Sequence, residues 1–331
     1  MTLRASRLIA AAFLTAPLSD DKKDTVGGQA IIEGVMMRGK EKVAWAVRRP
    51  DGGITVESYP FVSVTKRVAV LGIPVIRGVI NLFESLKWGF AALERSADIA
   101  VAEDADGGAP AGGKADGAEK KKTSAADKIF FALSMAAALA LSLGLFMYAP
   151  MWTVSRVPFI NDSPMLFNLS AGIIRIALFL TYISLISLWG EIRRVFEYHG
   201  AEHKTIFAYE DGKPLTVGNI DPYTTVHPRC GTSFLILVAI CSIFLFSIID
   251  TLYIEYFGAF VNIFHRFVVH LVLIPLVAGM SYEFLKLSAK YQNVPLVGIL
   301  IKPGLWLQKI TTRKPAPSQI EVAAKALEAA L

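Results

Sequence analysis

The sequence predicts a mainly α-helical, polytopic membrane protein with about four transmembrane helices and a small α+β segment on the N-terminal side. Three observations predict this class: an apolar composition, long stretches without charge, and basic residues concentrated in some of the loops. Of the 331 residues, 53% are hydrophobic and 19% are charged, and the mean hydropathy is +0.47. Soluble domains carry about 25% charged residues, so the composition excludes an ordinary soluble protein.

The first segment, residues 1–24, is expected to be a disordered leader. Arg4 and Arg7, followed by the apolar run 8–16, also resemble the start of a signal peptide. Cleavage of such a peptide would export the domain that follows. Because the Lys-rich flank before the first span favours the opposite orientation, the signal peptide is kept as the alternative.

Residues 25–100 are predicted to form a cytoplasmic α+β segment. The stretches 42–48 and 54–59 alternate in part and are separated by a Pro-Asp-Gly-Gly turn, which predicts a β-hairpin. The stretch 72–97 has helical periodicity but is too apolar for a helix surrounded by water. It is expected to lie in the membrane interface or under the helix bundle. Residues 101–128, rich in Ala, Gly, Asp and Lys, are expected to be a disordered linker.

Four apolar stretches predict the spans of a helical membrane domain at residues 129–290. The stretch 129–148 has no charge and 169–189 contains only Arg175, so each can cross a hydrocarbon core of about 30 Å. The stretches 231–249 and 267–282 are shorter and predict a hairpin of two more spans. Polar or aromatic residues that suit an interface stand near their ends: Asp250, Tyr253, Arg266.

The distribution of Lys and Arg predicts the orientation. The loops at 150–168 and 250–266 carry one Arg each, whereas the segment 191–230 carries Arg193, Arg194, Lys204, Lys213 and Arg229. The positive-inside rule places that segment and both termini, including an amphipathic tail at 291–331, in the cytoplasm of a multi-pass plasma-membrane protein. The net charge of +6 mostly expresses this bias, so we expect the lipid bilayer as a partner and no nucleic acid.

The segment His199-Gly200-Ala201-Glu202-His203 indicates a metal site at the membrane surface. On a helix, His199 and His203 stand on one face and can bind one metal ion. Glu202 points about 100° away and is placed to act as a general base on a metal-bound water. His227 and Cys230 return to the same membrane face just before the third span. Imidazole with thiolate favours Zn²⁺ among the divalent metal ions.

Each of these residues also has an ordinary structural interpretation. Glu202 can pair with a neighbouring Lys or Arg, His227 can hydrogen-bond a turn, and Cys230 can be a small buried hydrophobe. Glu283, at the end of the fourth span, is the downstream carboxylate that suits a further ligand, or it is only a helix-end charge. Arg77 or Arg229 would stabilise an oxyanion or phosphate, although Arg77 can instead pair with Glu84.

Several motifs together resemble the YqhQ-like family of bacterial membrane proteins. They are 27–38 (GGQAIIEGVMMR), Arg77-Gly78 with Leu82 and Glu84, 199–204 (HGAEHK) and 227–233 (HPRCGTS). The resemblance runs from near residue 27 to near residue 312, and members are labelled metal-dependent enzymes without an assigned reaction. It adds Glu33 and Arg38, with Glu84, as secondary candidates. Their alternative is a structural role, in a loop whose glycines permit unusual backbone angles.

Three functional classes stay open. A metal-dependent hydrolase would use the ion to polarise water and Glu202 to accept its proton, acting on a cytoplasmic substrate that the sequence does not identify. A membrane scaffold would hold the metal in a closed site with four protein ligands and bind a cytoplasmic protein partner. A transporter would place polar residues on broken helices, a pattern that the spans offer little of apart from Pro275. The hydrolase is the favoured hypothesis and the scaffold is the second.

Overall fold

The computed structural model describes residues 26–101, 125–228, 230–290 and 295–331. The expected leader lies outside the described residues, and so does the expected linker apart from residues 101 and 125–128. The chain divides into two compact units. The first unit consists of the described residues up to Val101, Ile186–Leu237 and Ala278–Leu331. The second unit consists of the described residues within Ala102–Leu185 and Val238–Val277.

The strands and helices follow one another in an order that separates a small sheet from the long apolar helices. The strands are β1 Gly27–Ile31, β2 Gly34–Arg38, β3 Lys42–Arg48 and β4 Ile54–Pro60. The α-helices of the described residues are α1 Val64–Arg67, α2 Ile76–Val101, α3 Ala125–Leu143, α4 Ala149–Ser155, α5 Pro158–Asn161, α6 Pro164–Ile186, α7 Gly190–Glu210, α8 Val217–Ile220, α9 Gly231–Phe257, α10 Ile263–Lys290, α11 Pro295–Thr311 and α12 Pro317–Ala330. A 3₁₀ turn covers Ala69–Gly72, and a π-helical turn covers Gly144–Tyr148.

The first unit is built on an antiparallel four-stranded sheet in the order β1-β2-β3-β4. The hairpin expected from residues 42–59 is β3 paired with β4. Strands β1 and β2 precede it and were not predicted. Their glycine-rich sequence, with Gly27, Gly28 and Gly34, weakens the strand signal. Glu33 turns the chain between them in the left-handed region, at φ 50°.

Both faces of this sheet are covered by helices. Met36, Trp45 and Val47 pack with Trp88 and Ala92 of α2 on one face. Alternate residues on the other face pack in one apolar core with α7 and α12: Val35, Met37, Ala44, Ala46. Because both faces of the sheet are buried, the sequences of β2 and β3 are nearly continuous runs of apolar residues. Residues 291–331, expected as one tail, contain α11 and α12, and α12 is part of this core.

Within the described residues, four helical stretches are long and apolar enough to cross a membrane, as the sequence predicted. They are Leu133–Ser155, Pro164–Ile186, Gly231–Phe257 and Ile263–Leu287. The second of these stretches does not continue as one helix into the segment that carries the histidine motif. Helix α6 ends at Ile186 and α7 begins at Gly190, because Trp189 adopts an extended backbone with ψ 130°.

An ionic group is buried inside the second unit. Asp250 of α9 accepts hydrogen bonds from Arg266 Nε at 3.0 Å, from His270 Nε2 at 2.8 Å and from Asn168 Nδ2 at 2.6 Å. Asp250 and His270 are both 0% exposed. The Arg266 guanidinium also lies 3.4 Å from the centre of the Phe167 ring. The sequence predicts Asp250 and Arg266 near the ends of spans, and in the structure the two residues pair with each other inside the unit.

Substitution of Asp250 by Ala is expected to destabilise the second unit strongly. Removing one member of a buried ion pair leaves the other charge uncompensated, at a cost of about 3–5 kcal/mol. The measurement is the temperature at which half of the detergent-solubilised protein leaves the monodisperse size-exclusion peak. The exposed loop substitution Asp162→Ala is the control. Equal transition temperatures for the two variants would contradict a stabilising role for the buried group.

The charge asymmetry of the loops predicts which ends of the spans face the cytoplasm. Single cysteines at Asp211, in the turn after α7, and at the exposed Tyr256 can be labelled with a membrane-impermeant maleimide. We expect Tyr256→Cys to react in intact cells and Asp211→Cys to react only after permeabilisation. The wild-type chain controls for its two buried cysteines, Cys230 and Cys241. Labelling of Asp211→Cys in intact cells would reverse the predicted topology.

Candidate metal centre

Helix α7 carries the predicted motif in an unusually buried setting. Every residue from Tyr198 to Ile206 is buried, although His199, Glu202, His203 and Lys204 are polar. Buried polar groups in folded proteins have partners. Lys204, for example, donates from Nζ to the Asp221 carboxylate at 2.9 Å. The hydrogen-bond partners of His199 and His203 therefore indicate the role of this helix segment.

Gly200 allows the chain near the end of α11 to lie directly against α7. A Cβ at residue 200 would stand 2.0 Å from the carbonyl oxygen of Arg313. The backbone N–H of Arg313 donates to the Phe196 carbonyl at 2.9 Å in the same contact. No side chain fits there, because the nearest atom belongs to the Arg313 backbone. This close approach places the Thr311 carbonyl beside His199.

Both motif histidines direct Nδ1 at a backbone carbonyl. His199 Nδ1 lies 2.8 Å from the Thr311 oxygen, and His203 Nδ1 lies 2.5 Å from the Thr225 oxygen. A carbonyl oxygen only accepts hydrogen bonds, so each Nδ1 carries the proton and each Nε2 carries the lone pair. Histidines that ligate a metal typically have the same arrangement, in which the other ring nitrogen donates its proton to a backbone carbonyl.

The two Nε2 atoms and the sulfur of Cys230 converge. The ligand atoms of His199, His203 and Cys230 all lie within 4.8 Å of one another, and the three residues are buried. His199 Nε2 is 3.2 Å from Cys230 Sγ. Among the described residues, His203 Nε2 has no hydrogen-bond partner. Burial lowers the pKa of His203, against the opposing effect of Cys230, and so favours the neutral imidazole. By geometry this group could hold a metal ion.

Cys230 stands immediately before the first residue of helix α9. The backbone N–H of Thr232 lies 3.3 Å from Sγ, and the Thr232 hydroxyl lies 3.0 Å from it. A helix N-terminus stabilises negative charge, which suits an anionic sulfur ligand. Gln308 fixes this turn by accepting from His227 N at 2.7 Å and donating to His227 O at 2.8 Å.

The Glu202 carboxylate lies beside the histidine nitrogens. Its Oε2 is 3.8 Å from His199 Nε2 and 4.0 Å from His203 Nε2. The backbone of Gly28 lies directly against the carboxylate, since a Cβ at residue 28 would be 2.7 Å from Oε1. Burial raises the pKa of Glu202, against the opposing effects of His199, His227 and the Gly28 backbone. Gly28 itself is exposed, whereas Glu202 is buried.

His227 adjoins this group but its ring is turned elsewhere. Its ring centre is 5.7 Å from that of His203 and 4.4 Å from that of Phe207. Its Nε2 lies 3.6 Å from the Glu210 carboxylate. Burial lowers the pKa of His227, against the opposing effect of Glu202. The three-residue group of possible ligands does not include His227.

The remaining candidates from the sequence lie in ion pairs, with one exception. Arg77 donates from Nε to Glu283 Oε1 at 2.7 Å, so the structure does not bring Glu283 to the histidines. Arg229 lies outside the described residues. The secondary candidates are paired as follows: Glu33 with Arg194, and Arg38 with Glu84 at 3.7 Å. The Thr225 and Thr311 carbonyls could not be identified from the sequence, because a backbone carbonyl leaves no sequence signal. Gly28 was also missed, although the pair Gly27-Gly28 was an available signal.

The comparisons with known proteins agree with the motifs. Residues 73–331 match the family described as protein of unknown function DUF1385. Over 303 residues, which cover 90% of this chain and 89% of the other, the sequence is 32% identical to the uncharacterized protein YqhQ of Bacillus subtilis (strain 168). No solved structure matches the chain. The chain therefore belongs to the DUF1385 family of proteins of unknown function, the YqhQ-like family that its motifs resemble.

Proposed function

We propose that this chain is a membrane-bound, metal-dependent hydrolase whose Zn²⁺ ligands are His199, His203 and Cys230. The observation that supports this most is that each of the two histidines directs Nδ1 at a backbone carbonyl oxygen. Each Nδ1 donates to a backbone carbonyl, at 2.8 Å and 2.5 Å, so both Nε2 lone pairs face the same small volume as the Cys230 sulfur. A buried polar atom without a partner costs about 1–3 kcal/mol. A bound cation would remove that cost at His203 Nε2.

The donor set suits a catalytic zinc site. Two imidazole nitrogens and one thiolate form a borderline-soft set that Zn²⁺ prefers. Three protein ligands with one open position are typical of catalytic sites, whereas structural sites have four. A zinc ion bound there would supply Lewis-acid activation of a water molecule. Glu202, with Oε2 at 3.8 Å and 4.0 Å from the two Nε2 atoms, would accept the proton.

The position of the centre restricts where a substrate would be bound. Cys230 directly precedes a helix long and apolar enough to cross a membrane. The centre therefore lies at the end of a span, on the face that the loop charges predict to be cytoplasmic. Gly28 is exposed next to Glu202, so this strand edge is the access side. A lipid-linked or peptide substrate at that face fits the proposal.

The second candidate function is a membrane scaffold with a structural metal site. It is favoured by the burial of all three proposed ligands and of Glu202. In that case Glu202 would close the coordination sphere as the fourth ligand, and the centre would only fix α7 to α9 and α11. The two functions differ in whether one coordination position exchanges with solvent.

Elemental analysis of the detergent-purified full chain tests the proposal. We expect about one zinc ion per chain, as for a mononuclear site, and near-background zinc in a variant that lacks all three ligands. Cobalt substitution then reports on the coordination sphere. For a hydrolase, added cyanide should change the visible cobalt spectrum because it occupies the open position. An unchanged spectrum would favour the scaffold. Equal zinc content in the wild type and the triple variant would contradict both the hydrolase and the scaffold proposals.

A further inference from the structure

Helix α2 has two apolar faces, and among the described residues only one of them packs against the rest of the protein. Trp88, Ala92 and Ile99 pack on the sheet. An apolar stripe on the other side is exposed: Phe83 is 61% exposed, Leu86 46%, Phe90 55% and Leu93 39%. Their spacing of three and four residues places all four along one line of the helix surface. A stripe of this kind in contact with water is unfavourable, because the transfer of apolar surface from water to an apolar medium is favourable.

The first turns of α2 are fixed beside the end of a membrane span. A Cβ on Gly78 would stand 2.9 Å from the Gly279 carbonyl oxygen. Asn81 Nδ2 donates to the Tyr282 hydroxyl at 3.0 Å, one turn further along. Gly279 and Tyr282 both belong to the span Ile263–Leu287. Helix α2 therefore starts beside the last turns of a helix that is long and apolar enough to cross a membrane.

The charges near the start of the stripe suit an anionic lipid surface, whereas Glu94 is exposed at its other end. Lys87 is exposed between Leu86 and Trp88, and Lys66 and Arg67 are exposed in the short helix α1 before α2. The adjoining Val68 and Val70 are exposed as well. Apolar side chains flanked by basic residues are typical of helices that lie in the membrane interface.

We propose that the stripe Phe83, Leu86, Phe90 and Leu93 inserts into the lipid headgroup boundary, so that α2 lies along the bilayer at the end of the last span. The partner is the bilayer itself, with anionic lipid attracted by Lys66, Arg67 and Lys87. This places the sheet of the first unit on the membrane surface, with α2 between the sheet and the lipid. The inference does not depend on the metal centre.

Spin labels on the full chain in phosphatidylglycerol–phosphatidylethanolamine vesicles test the insertion. Single cysteines are introduced at the four stripe positions and at the exposed Ser85 and Ala91, and the unsubstituted chain controls for the buried Cys230 and Cys241. Collisions with oxygen report lipid, and collisions with a water-soluble nickel chelate report water. We expect oxygen to exceed the chelate severalfold at the four stripe positions and the reverse at the exposed Ser85 and Ala91, with the 3.6-residue period of a helix.

Two other results would overturn the proposal. Higher chelate than oxygen collisions at the stripe would show that it faces water. Exclusion of both reagents, with cross-links between copies through Phe90→Cys, would show that a second copy covers it. All sites are exposed, so the substitutions should not disturb folding, and a monodisperse size-exclusion peak checks this.

Charge reversal tests the part played by anionic lipid. In the triple variant Lys66→Glu, Arg67→Glu, Lys87→Glu, the labels at Phe83 and Phe90 should become shallower in vesicles that contain phosphatidylglycerol. They should not move in vesicles of phosphatidylcholine alone. The control is Lys325→Glu on α12, outside the stripe. Equal depths for the triple variant and the control in anionic vesicles would refute the electrostatic contribution.

Discussion

His203→Ala is expected to remove nearly all bound zinc from the purified protein. The same loss is expected for His199→Ala and Cys230→Ala, because each change leaves only two of three proposed ligands. Structural zinc sites in peptides bind with about 10–16 kcal/mol, so loss of one ligand lowers the affinity by orders of magnitude. The measurement is the zinc-to-protein ratio after dialysis against a weak chelator, with size-exclusion chromatography as the check on folding.

His227→Ala is the informative comparison for this experiment. The sequence hypothesis includes His227 among the ligands, but its Nε2 lies 3.6 Å from the Glu210 carboxylate. We therefore expect His227→Ala to keep most of its zinc. His265→Ala is the matched control outside the site, since the His265 Nε2 lies 3.2 Å from the Tyr253 hydroxyl. Loss of zinc from the control to the same extent as from His203→Ala would show that the assay reports damage rather than ligation.

Glu202→Gln is expected to keep the zinc and abolish function. The amide preserves the shape of the side chain, but it cannot take a proton. General acid–base groups typically contribute about 10²–10⁴-fold in rate. Complementation of a deletion strain, with metal content measured in the same membranes, requires no knowledge of the substrate.

Two further variants make the Glu202 result interpretable. Glu191→Gln changes an exposed carboxylate in the first turn of the same helix and should complement fully. Gly28→Ala places a methyl group 2.7 Å from the Glu202 carboxylate, so it should reduce complementation while the zinc stays bound. Full complementation by Glu202→Gln at normal protein level would exclude the general-base role and favour the scaffold.

Local patterns in the sequence determined the membrane class, the four spans and the β3–β4 hairpin. Each depends on residues close together in the chain: an uninterrupted apolar stretch, or two strands around a Pro-Asp-Gly-Gly turn. The pairing of His199 with His203 was likewise predictable from residues close together in the chain, because a spacing of four residues on a helix places both rings on one face. Cys230 entered the hypothesis because two adjacent spans return the chain to one membrane face.

Only the tertiary structure decided which polar residues meet. Glu283, a plausible ligand by sequence, pairs with Arg77, which is 206 positions away. The tautomer of His199 is set by the Thr311 carbonyl, 112 positions away, and Gly200 permits that approach. A backbone carbonyl is chemically the same at every residue, so no sequence pattern identifies the one that a side chain will reach. The spans and the motif were therefore predictable from local spacing, whereas the geometry of the candidate centre was determined by long-range packing.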